Sequence, residues 1–462
     1  MLNRILIANR GEIAARIIRE CKDNSIGTVA VYSEADKNSL HVILADRGVC
    51  VGAAPSPQSY LNVGNIIESA RNTGCDAIHP GFGFLSENAD FARLCAEEGI
   101  EFIGPSPEVI EKLGDKVEAK KTMKAAGVPV VPGSEGPVGS AKEAKEIASA
   151  VGLPVLIKAS AGGGGRGMRV AETLDAIEPA YNEASMEAEK CFGDGRVYVE
   201  KLIRNPRHVE FQILADKFGN VIHLGERNCS IQRRNQKMLE EAPDFALSEE
   251  MRISMGKDAV KAAKAAGYEN AGTVEFIVDG GNYYFIEMNT RLQVEHPVTE
   301  MITGINIVKQ QLRIASGLPL EITQEDVEFS CHAIECRINA EDIFNDFAPS
   351  PGHVSFLHFP LGNQVRVESA LYSGCDISPF YDSMVAKIIV CGSTRLEAIR
   401  RMRRALEETI IQGIKTTLPI QFLIMYNREF LRGNYDTGFV EKNMAELLKL
   451  YEEAGGRDES VQ

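Results

Sequence analysis

The chain has 462 residues, 44% of them hydrophobic and 25% charged, which allows two or three domains with substantial cores and excludes a disordered chain. A formal charge of -15 excludes nucleic acid as a main partner, because neutralising a phosphate backbone needs a broad basic surface, so any phosphate site must be local. No apolar run is long enough to cross a bilayer, and the opening "MLNRILIANRGEIAAR" lacks the apolar core and cleavage site of a signal peptide, so no membrane partner and a cytoplasmic location are expected.

The first hundred residues alternate strand and helix patterns: "RILIAN", "GEIAARIIRECKDN", "GTVAVYSE", then "CDAIHP", "NADFARLCAEEG" and "EFIGPS". That alternation predicts a parallel, Rossmann-like α/β unit closing near residue 112. A short helix in "GDKVEAKKTMKAAGVPVVPG" then stops at Gly127 and Pro129.

Next comes the strand "PVLIKAS" and a run of glycines, "AGGGGRGM". Residues 162 to 167 fit G-x-G-x-x-G, but a dinucleotide site needs a helix immediately afterwards, and "MRVAET" reads as a strand, with "LDAIEPAYNEASMEAEKCF" helical only later. Strand, glycine loop, strand is a hairpin flap whose amides can fold over phosphate oxygens because no Cβ blocks the approach. Lys158, on the leading strand, can meet a phosphate from below.

Polar residues then gather in "EKLIRNPRHVEFQILAD" and "ERNCSIQRRNQKMLEEAP": Glu200, Lys201, His208, Gln232, Arg233, Arg234 and Lys237. Residues 272 to 300 form two β-rich runs around a D-G-G-N turn, each with a glutamate among apolar neighbours, Glu275 and Glu287. A three-residue loop, 280 to 282, would pair the two glutamates on one face with Asn289; a two-residue loop would oppose Glu275 to Ile286. Two carboxylates and an amide oxygen are hard ligands suited to Mg²⁺ or Mn²⁺ rather than zinc. Ion pairing of those glutamates with Arg291 and other basic groups is the plainer alternative.

The ten cysteines, with no C-x-x-C pair, read as reduced core residues. In "TRLEAIRRMRRALEETI" Leu396, Ile399, Met402 and Leu406 mark the apolar side of a helix with a basic outer face.

Together "IANRGEIA", "HPGFGFLSEN", "KASAGGGGRGMR", "PRHVE", "EMNTRLQVEHPVTE", "CRINAED" and "YDSMVAK" make the chain resemble the biotin carboxylases, the ATP-grasp components of biotin-dependent carboxylases, over residues 1 to 446. The resemblance implies an N-terminal Rossmann-like domain (1–112), an ATP-grasp domain (113–330) with a mobile lid at about 131–203, a mixed α/β C-terminal domain (331–446) and a polar tail (447–462). By the same resemblance Lys116, Lys158, Gly163, Gly164, Gly165 and Met168 would face ATP phosphates. Glu200 with the backbone of Lys201 and Ile203 would hold adenine, and His208, Gln232 and Asn235 would line the nucleotide pocket. Glu275, Glu287 and Asn289 would organise Mg²⁺ or Mn²⁺ at two sites.

Lys237, Arg291, Gln293 and the backbone of Val294 would bind bicarbonate, Glu295 would deprotonate it, and Arg337 would stabilise the biotin enolate. The plainer role for Arg337 is an ion pair with Glu335 or Glu341. Many family members carry histidine where this chain has Asn235, which can hydrogen-bond but cannot titrate near neutrality.

No M-K-M biotinylation motif is present, so biotin is expected as a substrate on a separate carrier protein, with carboxyltransferase subunits as further partners and a homodimer as the assembly. Acetyl-CoA, pyruvate and 2-oxoglutarate all fit as the final acceptor. The rival readings are another ATP-grasp ligase with an amine acceptor and a non-catalytic ATP-binding paralogue.

Overall fold

The computed structural model describes residues 2–160 and 167–453. It begins with β1 (Arg4–Ile7), α1 (Gly11–Asp23), β2 (Gly27–Ser33), β3 (Arg47–Gly52), β4 (Ala77–His79) and β5 (Glu101–Phe102). These strands form a parallel sheet in the order β3-β2-β1-β4-β5, the Rossmann-like unit the alternation predicts. The two-residue period of β1 sends Ile5 and Ile7 to the face packed by Ile13 and Ile17 of α1, and Leu6 to the face with Val29, Val31 and Ile66. Gly11 opens α1 at φ +66°, a conformation glycine adopts without steric cost. The edge strand β3 gave no alternating signal, because Arg47, Gly48 and Cys50 are all exposed.

A linking helix, α2 (Lys116–Ala125), ends just before Gly127, which has φ +73°. Then β6 (Val155–Ala159), β7 (Met168–Ala171), α3 (Ile177–Phe192) and β8 (Val197–Lys201) build a small body with the antiparallel strand order β7-β6-β8. Val155, Ile157, Val197 and Val199 pack on Ala180 and Ala184 of α3, giving this body a hydrophobic cluster of its own. The expected flap hairpin is present, with Lys158 opposite Met168; Gly163, Gly164 and Gly165 lie outside the described residues.

The largest layer is an eight-stranded sheet. Its strands are β9 (Arg207–Ala215), β10 (Val221–Arg233), β11 (Gln236–Ala242), β12 (Asn270–Asp279), β13 (Asn282–Asn289), β14 (His332–Asn339), β15 (Val365–Ser369) and β16 (Met384–Gly392), in the order β13-β12-β9-β10-β11-β14-β16-β15. Helices α4 (Glu249–Ala266), α5 (His296–Thr303) and α6 (Arg395–Glu408) pack on it. Because β11 pairs with β14, hydrogen bonding runs without a break across the expected domain boundary at residue 330.

Three local expectations need adjustment. Leu396 is 50% exposed, because at 100° per residue it falls off the stripe formed by Ala398, Ile399, Met402, Ala405 and Leu406; Arg395 lies on that stripe and pairs with buried Glu241 at 2.7 Å. Cys50 and Cys191 are exposed and Cys331 is half-buried, while the other seven cysteines are core residues. The last described helix, α7 (Phe439–Glu453), continues past 446 with Leu447 buried.

Candidate active site

The β12–β13 hairpin aligns its two glutamates by a route the spacing did not reveal. Asp279 pairs with Asn282 across a two-residue turn, yet Glu275 still faces Glu287, because a bulge at Ile286 adds one residue to β13. On its other side Glu275 faces Glu210 of β9, so three carboxylates lie in one row across adjacent strands. Such a row stays folded only if cations reach it.

Lys237, from β11, supplies the nearest cation. Its Nζ lies 2.6 Å from Glu210 Oε2, 2.9 Å from Glu275 Oε1 and 2.7 Å from Glu295 Oε1. Burial alone would lower the ammonium's pKa, but Glu210, Glu275 and Glu295 outweigh it and hold it well above the usual lysine range. Fully buried Arg227 carries the other side of Glu210, at 2.5 Å from Oε1.

Glu295, at the residue preceding α5, is fully buried between Lys237 and Arg337, whose Nη2 is 3.0 Å from Oε2. Burial pushes its carboxyl up, but Lys237, Arg337 and Arg227 pull harder and leave it well below the usual carboxylate range. Arg337 Nε also donates to Glu240 Oε1 at 2.7 Å, so its partners are Glu240 and Glu295 rather than the neighbouring Glu335 or Glu341.

Glu275 accepts from Asn289 Nδ2 at 2.7 Å and Gln293 Nε2 at 3.3 Å, and its Oε2 meets His208 Nε2 at 2.7 Å. Because Gln232 Nε2 donates to His208 Nδ1 at 3.0 Å, the imidazole's proton belongs on Nε2. Arg291 donates to Glu87 Oε2 at 2.8 Å and to Gln293 Oε1 at 3.0 Å, so the expected pairing of Glu275 and Glu287 with basic groups is made instead by Lys237, His208 and Lys116. The Val294 carbonyl accepts from Lys387 Nζ at 2.7 Å.

These groups border a cleft of about 690 Å³ between the N-terminal unit and the large sheet, a volume suited to small-molecule ligands. His208, Asn235, Lys237, Glu275, Glu287, Asn289, Arg291, Gln293, Val294 and Arg337 line it, with Glu295 just behind Lys237 and Arg337. Glu287, Glu275 and the Asn289 side-chain carbonyl offer hard oxygen atoms on this wall, beside the His208 imidazole. Glu287, 38% exposed at its side chain and reached by Lys116 Nζ at 3.5 Å, is the one most open to an ion, so the set fits Mg²⁺ or Mn²⁺.

A second cluster forms where the β6–β8 body meets α2. Glu200 accepts from Lys158 at 2.7 Å and from Lys120 at 3.0 Å; burial raises its carboxyl, but the two lysines outweigh it and leave it low. Lys201 spends its Nζ on the Gly152 and Leu153 carbonyls and its N–H on Pro132 O. Met168 pairs across the hairpin with Lys158, and both Met168 and Ile203 are half-buried.

Lys120, Glu210, Arg227, Glu240 and Glu87 were not singled out from the sequence. Two signals were available. Lys120 follows Lys116 by four residues on one helix, and Glu210 follows His208 by two on one strand. Asn235 sits with Arg234 in the two-residue turn between β10 and β11 at φ +63° and +50°. Asparagine tolerates that left-handed backbone better than most residues, which gives this departure a local structural reason.

Comparison with known proteins agrees along nearly all of the chain. Residues 1–110 match the biotin carboxylase N-terminal domain, 115–323 the ATP-binding domain of the carbamoyl-phosphate synthase L chain, and 335–442 the biotin carboxylase C-terminal domain. The chain is 56% identical to biotin carboxylase 1 of Bacillus subtilis (strain 168), covering 96% of this chain and 98% of that one. It is 53% identical to the 2-oxoglutarate carboxylase small subunit of Hydrogenobacter thermophilus, covering 96% and 94%. Among solved structures, the biotin carboxylase domain dimer of Hydrogenobacter thermophilus 2-oxoglutarate carboxylase, in complex with MgADP, ADP and bicarbonate, superposes with a TM-score of 0.93 at 52% identity, covering 97% of this chain and 99% of that one. The chain belongs to the biotin carboxylase family of ATP-grasp enzymes.

Proposed function

We propose that this cleft carries out ATP-dependent carboxylation of biotin by bicarbonate, the first half-reaction of a biotin-dependent carboxylase. The observation that carries the reading is the placement of one ionised carboxylate, Glu295, between Lys237 and Arg337 at the floor of a cleft that Arg291 and Gln293 also enter. Bicarbonate is small, planar and anionic, and it matches two cations and an amide held in fixed positions.

Glu295 is ionised, so it can accept the bicarbonate proton, but paired with two cations it is a weak base. An anion arriving at Lys237 competes for that ammonium and returns basicity to Glu295 as it binds. The deprotonated oxygen attacks the γ-phosphorus of ATP, forming the C–O–P bond of carboxyphosphate as ADP leaves. Glu275, Glu287 and Asn289 would hold Mg²⁺ or Mn²⁺, which neutralises phosphate charge when bound.

Lys116, Lys120 and Lys158 supply positive charge where the β6–β8 body meets α2, and closure of the flap shields an intermediate that water would destroy. Carboxyphosphate then divides into carbon dioxide and phosphate, phosphate removes the N1′ proton of biotin, and the nitrogen attacks carbon dioxide. Arg337 faces the negative charge that builds on the biotin ring. The biotin comes on a carrier protein, carboxyltransferase subunits complete the cycle, and a cytoplasmic homodimer is the expected working form.

The test is ADP release by the purified chain with Mg²⁺, ATP and bicarbonate, with and without free biotin. Release that needs bicarbonate and rises with biotin supports the assignment. Release that ignores both overturns it, and release that needs an added amine replaces it with the amine-ligase reading.

A further inference from the structure

Behind Arg337 lies a carboxyl pair that the proposed chemistry does not use. Glu240 of β11 and Glu335 of β14 are direct cross-strand partners, a relation that holds two Cβ atoms about 5 Å apart on one face. Both residues are fully buried. Oε1 of Glu240 receives Arg337, but no donor reaches its Oε2 or either oxygen of Glu335 among the described residues.

The other charged groups packed around the pair are already committed. Lys387 of β16 lies 3.1 Å from Glu12 of α1 and donates to the Val294 carbonyl. Arg366 of β15 is held by Glu300 and Glu368, each at 2.7 Å, and Arg16 of α1 by Glu20 and Glu300. From α5, His296 gives its Nδ1 to the Gln293 carbonyl, and Glu295 takes the remaining reach of Arg337. One guanidinium therefore serves Glu240 and Glu295, and among the described residues no donor reaches Glu335, on which Lys387 and Arg337 act only from a distance.

Two carboxyls so close and out of water do not both ionise. Arg337 favours charge on Glu240, so the proton belongs on Glu335. Burial raises both, with Arg337 restraining Glu240 at about 7 and Glu335 pushed further up. We propose that Glu335 is the neutral, proton-bearing member of this pair, and that Glu240 is a positioning residue that fixes the Arg337 guanidinium against Glu295. The role given to Glu240 rests on the reading of Arg337 as the group facing biotin; the proton on Glu335 does not.

Infrared difference spectroscopy of the wild type against Glu335→Gln at neutral pH tests the proton. Loss of a protonated-carboxyl C=O band is expected, and loss of carboxylate bands alone overturns the proposal. For Glu240→Gln, the ratio of biotin-stimulated to biotin-independent ADP release should fall about tenfold, through kcat rather than through KM for biotin. An unchanged ratio, or a loss confined to KM, overturns the positioning role. If the wild type itself ignores biotin, the functional reading fails while the infrared result still decides where the proton sits.

Discussion

Nζ of Lys237 and Oε1 of Glu295 lie 2.7 Å apart, and the same ammonium also touches Glu210 and Glu275. All three donors of Lys237 are thus engaged by carboxylates, and an incoming anion must take one of them. Anion binding and the basicity of Glu295 are coupled through that exchange. On the proposed reading, the lysine that would attract bicarbonate is the same group that keeps Glu295 a weak base until the anion arrives.

Glu295→Gln keeps the shape of this contact and removes the proton acceptor. Bicarbonate-dependent ATP cleavage should fall roughly 100-fold or more, the range for loss of a general base, while ATP affinity changes little. Steady-state ADP release and nucleotide titration check it, and comparable losses in both would refute the assignment.

Arg337→Ala removes the guanidinium from between Glu240 and Glu295. Biotin carboxylation should drop about 100-fold, the scale for loss of a group that stabilises developing charge, with a much smaller effect on biotin-independent ATP cleavage. Measuring both reactions on one preparation decides, and their joint collapse would place Arg337 in the fold or the ATP site.

The N-terminal α/β unit, the flap hairpin and most residues of this wall were legible in the sequence, because strand alternation and motif spacing are local. What escaped was set by pairing between distant strands. Glu275 meets Glu287 through a two-residue turn plus a bulge at Ile286, a combination that neither loop length alone predicts. Glu210 becomes visible as a site residue only once β9 lies beside β12, and Glu240 only once β11 lies beside β14. The continuity of the large sheet across residue 330 was hidden for the same reason.

Lys120 carries no local signal beyond its place four residues after Lys116, yet it shares Glu200 with Lys158. Lys120→Met should raise the KM for ATP about tenfold and leave the KM for bicarbonate little changed, since the Lys120–Glu200 contact is separate from the Lys237 cluster. A substitution that raised the bicarbonate KM as strongly would contradict that separation.

Asn235→His tests whether the turn or the nucleotide explains the asparagine. With φ at +63° in a two-residue loop, histidine should cost up to about 1 kcal/mol of stability. Urea unfolding would show a lower midpoint at unchanged slope. Equal stability would leave the turn without a part in the choice.

Glu241 shows how the fold itself depends on pH. It is buried against Arg395 and accepts from His332 at 2.8 Å; burial raises its carboxyl, but His332 and Arg395 outweigh that and bring it down from 4.5 to about 2. A folded pKa below the unfolded one means that the stabilisation is fully present above about 4.3, the ordinary glutamate value, and is lost as pH falls toward 2. Glu300, paired with Arg16 and Arg366 and likewise held at about 2, titrates in the same window. Thermal unfolding followed from pH 7 downward should therefore show little change to about pH 5 and then a steep decline. Glu241→Gln leaves Arg395 buried without its counter-charge, so it should lose roughly 3 kcal/mol at pH 7 and show a shallower acid limb than the wild type. An acid limb as steep as the wild type's would mean that Glu241 is not among the groups that drive it.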